Sequence, residues 1–213
     1  MTSVEQLLSI SSEPLAPRAK ALSKLLEPYA LGSELFHMLE CKNGFYAFES
    51  ALHALPLTSA TEISLEEWNA GSLWRDGYQD MSEGLLFFAE DVFQNQFCLS
   101  PDGVLRFEAE TGATTFTADS VEGWAEKILG DHRRQTAWPL ASKWQAENGP
   151  LPTGKRLMPK IPFFLGGEHS ISNLWVGDSV EGMRFKADLA SQTRNSPDGS
   201  AVRLIIGKKP RHQ

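Results

Sequence analysis

The sequence predicts an α+β protein in which N-terminal helices precede a mainly antiparallel sheet packed against helices, with a C-terminal β-α-β extension. Two observations support this fold class. Apolar residues recur at three- and four-residue spacing through the first forty positions, which is the period of a helix. Between residues 85 and 117, short apolar and aromatic runs instead alternate with turn residues, a pattern typical of a β-meander.

Three apolar runs predict the N-terminal helices. Pro14 and Pro17 follow the first run, Pro28 ends the second, and Asn43-Gly44 ends the third, because both residues of that pair tolerate a positive φ. The runs consist of Val4, Leu7 and Leu8, then Leu22, Leu25 and Leu26, and finally Leu31, Leu35, Phe36 and Leu39.

The stretch after these helices has a mixed pattern. Residues 45–53 are rich in aromatic side chains and fit either a strand or a helix. A further helix is predicted to begin at Ser64, which is a favourable N-cap residue with Glu67 three positions later. We expect this helix to extend to about Tyr78.

The predicted meander occupies the centre of the chain. Pro101-Asp102-Gly103 and a second triplet at residues 110–112 supply the turn chemistry between strands. The predicted strands cover residues 85–90, 94–100, 104–108 and 114–117, and a helix over residues 119–130 follows them.

A Pro- and Gly-rich stretch at residues 139–162 is the one plausible internal boundary. It divides the chain into a core of residues 1–138 and an extension of residues 139–213, which we expect to pack on the core as one compact unit. The β-α-β pattern of the extension is predicted from a strand over residues 173–176, a helix over residues 180–193 and a strand over residues 201–206.

Composition limits the function classes. Cys41 and Cys98 are too few for a disulfide framework or a four-ligand zinc site. The N-terminus lacks a signal-peptide pattern, and no apolar run reaches the roughly 18 to 20 residues that span a bilayer. We therefore expect a cytoplasmic protein that has no membrane contact and no metal or other cofactor.

Charge is distributed unevenly along the chain. Residues 1–59 carry four basic and six acidic residues, residues 60–126 carry two and fourteen, and residues 127–213 carry fourteen and seven. The net charges are therefore −2, −12 and +7. An acidic field of this kind attracts cationic partners and repels nucleic acid.

We interpret the acidic middle third as a candidate surface for a protein partner. The alternative is that the basic C-terminal part folds back over these carboxylates and neutralises them. The candidate surface residues are Glu62, Glu66, Glu67, Asp80, Glu83, Glu90 and Asp91.

No catalytic residue is assigned from the sequence. Residues 149–156 resemble a phosphate loop, but two prolines remove N–H donors and Arg156 stands where the loop needs a hydroxyl. Glu90 and Asp91 are adjacent on a predicted strand, so their side chains point to opposite faces and make a poor acid–base pair.

A second possible site contains four residues that are close in sequence. His37 and Cys41 are four positions apart and share a helical face, which permits metal or thiolate chemistry, with Glu49 and His53 nearby. No zinc-type spacing completes the set, so a buried cysteine and a packed histidine are the simpler interpretation.

Several strings resemble the SUKH superfamily of bacterial immunity proteins and fungal scaffold proteins. The resembling strings are LFHMLECKNGFYAFESALHALP at residues 35–56, residues 65–78 with Trp68 and Trp74, FFAEDVFQNQFCLSPDGVLRFEAETG at residues 87–112, and PFFLGGEHSISNLW from residue 162, which is similar to the extension of longer bacterial members. The resemblance implies an α+β fold and a cytoplasmic binder without a cofactor, and it transfers no contact residues.

Together these observations predict a non-enzymatic immunity protein that neutralises a polymorphic toxin domain with a cationic surface by direct contact, as a monomer or weak dimer. The alternatives are a housekeeping scaffold of the same fold without a toxin partner, and a small-molecule-binding or hydrolytic protein that uses the four-residue cluster around His37.

Overall fold

The protein is described here by a computed structural model that covers residues 1–196. Its main sheet has six antiparallel strands that follow one another in chain order, so the predicted α+β meander is confirmed. The strands are β1 (Phe45–Ala47), β2 (Leu52–Ala54), β3 (Leu86–Asp91), β4 (Gln96–Ser100), β5 (Gly103–Phe107) and β6 (Thr114–Ala118).

Helices surround this sheet. Short 3-10 helices cover Arg75–Ser82, Phe163–Leu165 and Ile171–Asn173. The α-helices are α1 (Ser3–Ser9), α2 (Gly32–Cys41), α3 (Leu65–Trp68), α4 (Val121–Gly130), α5 (His132–Gln135), α6 (Trp138–Asn148) and α7 (Ser179–Thr193). Within residues 1–196, none of the helices has the length and apolarity needed to cross a lipid bilayer.

Local capping explains where several helices begin. Thr2 caps α1, and Glu5 bonds back to the cap backbone, so the two form a capping box. Ser120 accepts a hydrogen bond from the Gly123 backbone at the start of α4, and Asp178 caps α7. These contacts lie within one turn of chain, which is why residue type and spacing predict them.

The second predicted N-terminal helix is wrong. Residues 20–31 form turns and bends instead, although Leu26 is fully buried. Turn bonds occupy this stretch: the Leu26 N–H donates to the Ser23 carbonyl and the Tyr29 N–H donates to the Leu26 carbonyl. Of the three leucines only Leu26 is buried, Leu25 packs partly against the core and Leu22 is exposed, so their spacing does not mark a helical face.

The predicted helix from Ser64 to Tyr78 is much shorter than expected. α3 ends at Trp68, and Asn69 then uses its side chain to bond β3: its Nδ2 donates to the Phe87 carbonyl at 2.8 Å and its Oδ1 accepts from the Phe87 N–H at 2.9 Å. These tertiary bonds replace the continuation of the helix. The chain re-enters 3-10 geometry over Arg75–Ser82, where a kink at Gln79, with a φ of 57°, separates two helical pieces.

The ambiguous residues 45–53 form the two short strands β1 and β2. Phe48, Glu49 and Ser50 connect them with φ values of 52°, 53° and 65°. Three successive left-handed residues reverse the chain tightly enough for Tyr46 to lie opposite His53 in the sheet.

The extension contains a second sheet in which β7 (Lys155–Pro159) pairs with β8 (Leu174–Asp178). β8 and α7 match the predicted strand and helix, whereas β7 was not predicted. The strand predicted over residues 201–206 lies outside the described residues. The Leu157 N–H donates to the Val92 carbonyl at 3.0 Å, which links β7 to the end of β3.

The main core combines sheet, helices and extension. Trp74 contacts Phe87 edge-on with ring centroids 5.0 Å apart, and Tyr78 contacts Phe107 at the same distance. Met183 of α7 is buried in the same apolar cluster as these rings. The helix of the extension therefore contributes to the core that the meander builds.

Candidate functional site

The connection between β2 and β3 carries much of the acidic character predicted from the sequence. Residues 62–83, called the acidic segment below, hold six carboxylates and one basic residue. Of the predicted surface residues, Glu66, Glu67, Asp80 and Glu83 are exposed, and Glu62 is half-buried. Asp76, which the sequence prediction omitted, is also exposed.

The one basic residue of the acidic segment, Arg75, is directed inward. Its Nη1 donates to the Asn69 carbonyl at 3.0 Å and its Nη2 donates to the Ser82 carbonyl at 2.7 Å. The guanidinium also lies 5.2 Å from the centre of the Phe87 ring. Arg75 therefore ties the end of α3 to Ser82, and it forms no ion pair with the exposed carboxylates within residues 1–196.

Asp80 is partly neutralised by the extension. Arg194, at the C-terminal end of α7, donates from both terminal nitrogens to the Asp80 carboxylate, one bond measuring 2.7 Å. Hydrogen bonds from Arg194 lower the pKa of Asp80. Glu66, Glu67, Asp76 and Glu83 form no ion pair within residues 1–196.

Glu90 does not belong to an acidic surface, contrary to the prediction, because it is only 1% exposed. The Arg156 Nε donates to its Oε1 at 2.8 Å, and His53 Nδ1 lies 3.1 Å from the same oxygen. Burial alone would raise the pKa of Glu90, but the charge of Arg156 and the hydrogen bond from His53 bring it down to about 2.

The prediction of Asp91 as a surface residue is also wrong, because its side chain is fully buried. Arg106 Nη2 donates to its Oδ2 at 2.6 Å, and its Oδ1 accepts from the backbone N–H groups of Phe93 and Asn95. Asp91 thus fixes the β3–β4 turn. Its charge is neutralised inside the core, and Glu90 is neutralised by the extension.

The His53–Glu90 pair resembles an acid–base dyad but is closed to substrates. The Tyr46 ring stacks on His53 with centroids 4.4 Å apart, and burial lowers the pKa of the imidazole. His53 Nε2, the atom that would exchange a proton, is buried and has no hydrogen-bond partner within residues 1–196. The pair therefore fits a structural role in joining β2, β3 and β7.

The structure does not assemble the predicted cluster of His37, Cys41, Glu49 and His53. His37 and exposed Cys41 line an open groove beside α1, whereas His53 is packed against Tyr46 and Glu90. Among residues 1–196, no group of three or more histidine, cysteine or acidic side chains is arranged to hold a metal ion.

The phosphate-loop-like residues 149–156 form a turn that leads into β7. Lys155 pairs with Asp178 at 3.3 Å, and Arg156 is buried against Glu90. Sequence reasoning treated Arg156 only as a defect in a motif. A buried glutamate without a local partner requires a cation from a distant segment, but the sequence does not say which one.

Comparison with known proteins adds a fold relationship. No protein-family model and no curated protein matches this sequence. The crystal structure of Atu4351 from Agrobacterium tumefaciens is similar to this chain, with a TM-score of 0.59 and 12% identity over 86% of this chain and 88% of that one. At that identity the similarity establishes a shared fold.

Proposed function

We propose that this chain is a non-enzymatic binding protein of the immunity type, which neutralises a toxin domain by contact through its acidic segment. The proposal depends on one observation: Glu66, Glu67, Asp76 and Glu83 are exposed without an ion pair in the described residues, while Arg75 turns inward. A nuclease-type toxin presents basic residues to its substrate. Opposite charge of this kind speeds the encounter of two proteins.

The segment is also fixed in shape before any partner binds. Ser64 and Glu67 form a capping box, Asn69 bonds to β3, and Arg75 joins Asn69 to Ser82. A surface that is already ordered loses less conformational entropy when it binds. Rigidity therefore supports a contact role for these carboxylates.

Two further features support a cytoplasmic binder. Cys41 and Cys98 are free thiols, which fits a reducing compartment. The His53–Glu90 pair is sealed inside the protein, so the proposal assigns it no reaction. The similarity to Atu4351 supports the fold on which this surface is built.

The first test is co-purification with the C-terminal domain of the protein that the neighbouring gene encodes. Association rates are then measured at low and high salt for the triple variant Glu66→Lys, Asp76→Lys and Glu83→Lys. We expect association at low salt to slow by about tenfold or more and the salt dependence to weaken, because charge complementarity acts mainly on the on-rate.

A matched control makes the same charge change elsewhere. Glu13, Glu126 and Glu147 are exposed and lie outside the acidic segment, so their triple lysine variant should associate much faster than the first one. Equal slowing in both variants would show that net charge acts and not this surface. Failure of the wild-type chain to retain the domain would contradict the proposal as a whole.

A further inference from the structure

A second concave site lies away from the acidic segment, between the end of β5, α5 and the Phe163–Leu165 helix. It encloses about 480 Å³, which lies within the usual range for small-ligand pockets. We propose that this cavity binds a nucleoside phosphate, with the base against an aromatic wall and the phosphate against two arginines. This inference goes beyond the proposed partner contact and does not depend on it.

The aromatic wall comes from the extension. Phe163 and His169 stack with centroids 4.0 Å apart and rings inclined by 6°, and Phe93 supports Phe163 edge-on at 4.9 Å. His169 is exposed, and Phe164 at the rim is 49% exposed. Aromatic surface that is both supported from behind and open to solvent is suited to stacking with a base.

The cationic wall comes from α5. Arg133 and Arg134 are exposed, and neither forms an ion pair within residues 1–196. The Arg133 guanidinium lies over the Trp138 ring, 5.4 Å from its centre. Paired guanidinium groups bind phosphate through charge-assisted, bidentate hydrogen bonds.

The remaining charges set the direction of the ligand. Arg106 at the floor is already paired with Asp91 and Glu108, so it shapes the cavity and does not attract an anion. Glu110 Oε2 accepts a hydrogen bond from the Phe164 N–H at 2.7 Å, which places this carboxylate at the aromatic end. Its other oxygen can accept from a sugar hydroxyl or an exocyclic amine.

A neighbouring pocket extends the cationic end. It has a volume of about 350 Å³, shares Arg106, Glu108 and Arg134 with the first cavity, and adds Lys127, Thr115, Thr117, Phe116 and Gln135. The groove therefore runs from the aromatic wall with Glu110, past the Arg106–Glu108 pair, to Arg134 and Lys127 with two threonine hydroxyl groups. A nucleotide presents the complementary groups in the same order: base, sugar and phosphate.

Isothermal titration calorimetry on the full chain tests this inference. The probes are the four ribonucleoside 5′-monophosphates, the nucleosides, inorganic phosphate and a 5′-phosphorylated pentanucleotide. We expect at least one monophosphate to bind about tenfold or more tightly than its nucleoside and than phosphate alone, because only the nucleotide uses both walls. Tighter binding of the pentanucleotide would overturn the assignment to a free nucleotide.

Variants separate the two walls. The double variant Arg133→Ala and Arg134→Ala should weaken binding of the monophosphate by about tenfold or more and leave binding of the nucleoside unchanged. Phe164→Ala should weaken binding of both ligands. Lys20→Ala with Lys24→Ala removes two exposed cations elsewhere and should change neither affinity. Absence of binding by any monophosphate, or equal affinity in the arginine variant, would overturn the proposal.

Discussion

The buried amine of Lys186 makes the stability of this protein depend on pH in a way that one substitution isolates. Lys186 lies on α7 and is 1% exposed. Its Nζ donates to the Phe93 carbonyl and to Gln94 Oε1, the latter at 3.2 Å, and it forms no ion pair within residues 1–196. Burial lowers its pKa from 10.5 to about 8, although surrounding carboxylates act in the opposite direction.

The size of the effect follows from these two pKa values. Below pH 8 the folded protein holds a buried charge, which opposes folding. Between pH 8 and pH 10.5 the folded protein has released this proton while the unfolded chain still binds it, so the free energy of unfolding rises with pH. At roughly 1.4 kcal/mol per pH unit, the gain across this window is about 3 kcal/mol.

Lys186→Met removes the titrating group and keeps most of the side-chain volume. Loss of two hydrogen bonds should cost about 1–3 kcal/mol at every pH, because it leaves acceptors unpaired. Urea unfolding at pH 7 and pH 10.5 measures the unfolding free energy of the wild type and of the variant. The contributions of the other titrating groups cancel in the difference between the two proteins. We expect the stability advantage of the wild type over the variant to grow by about 3 kcal/mol across that range.

The exposed Lys20 provides the control, because Lys20→Met should give a stability difference that stays flat with pH. A flat difference for Lys186→Met as well would refute the reasoning, since it would mean that the amine titrates alike in the folded and unfolded chains. A difference that shrinks as pH rises would show that the folded state favours the charged amine.

Three further predictions follow from the contacts described above. Glu90→Gln leaves Arg156 buried without its counter-charge, so urea unfolding at pH 7 should show a loss of about 3–5 kcal/mol. That loss should shrink as the pH falls from 4.5 to 2, because the unfolded wild type takes up a proton at Glu90 in this range while the folded protein still holds the carboxylate ionised; a constant loss would contradict the pairing. Glu49→Gly should raise the unfolding free energy by about 0.5–1 kcal/mol, because Glu49 holds a φ of 53° that glycine adopts without strain; a lower thermal midpoint would contradict this. A thiol reagent should modify exposed Cys41 in the native protein but spare Cys98, whose pKa burial raises to about 12, until urea unfolds the chain; equal rates for both thiols would count against the fold.

Sequence reasoning located the local features of this fold well. The capping box at Ser64 and Glu67 and the meander turn at Gly103 depend on residues a few positions apart, so their types and spacing are sufficient. The same reasoning placed α3 at its correct start but extended it too far. Asn69 ends the helix by bonding to β3, and the pattern of apolar residues carries no sign of that contact.

The prediction of the acidic surface was correct for exposure at some positions and wrong at others. Glu66 and Glu83 are exposed as expected, whereas Glu90 and Asp91 are buried. A count of charges treats all carboxylates alike, because it contains no information on which ones meet a cation in the folded chain. The alternative raised from the sequence, a basic extension that neutralises acidic residues, holds for Glu90 and Asp80.

The sequence by itself determined the α+β class, the order of the meander strands, and the acidic character of the middle third, because each follows from local periodicity, turn chemistry or composition. Only the tertiary structure decided which charges are internal. Arg156 meets Glu90 across 66 positions of the chain, and the cavity beside α5 combines side chains from β5, α5 and the extension. Such pairings depend on how distant segments pack together, and the one-dimensional pattern of residue types does not record that packing.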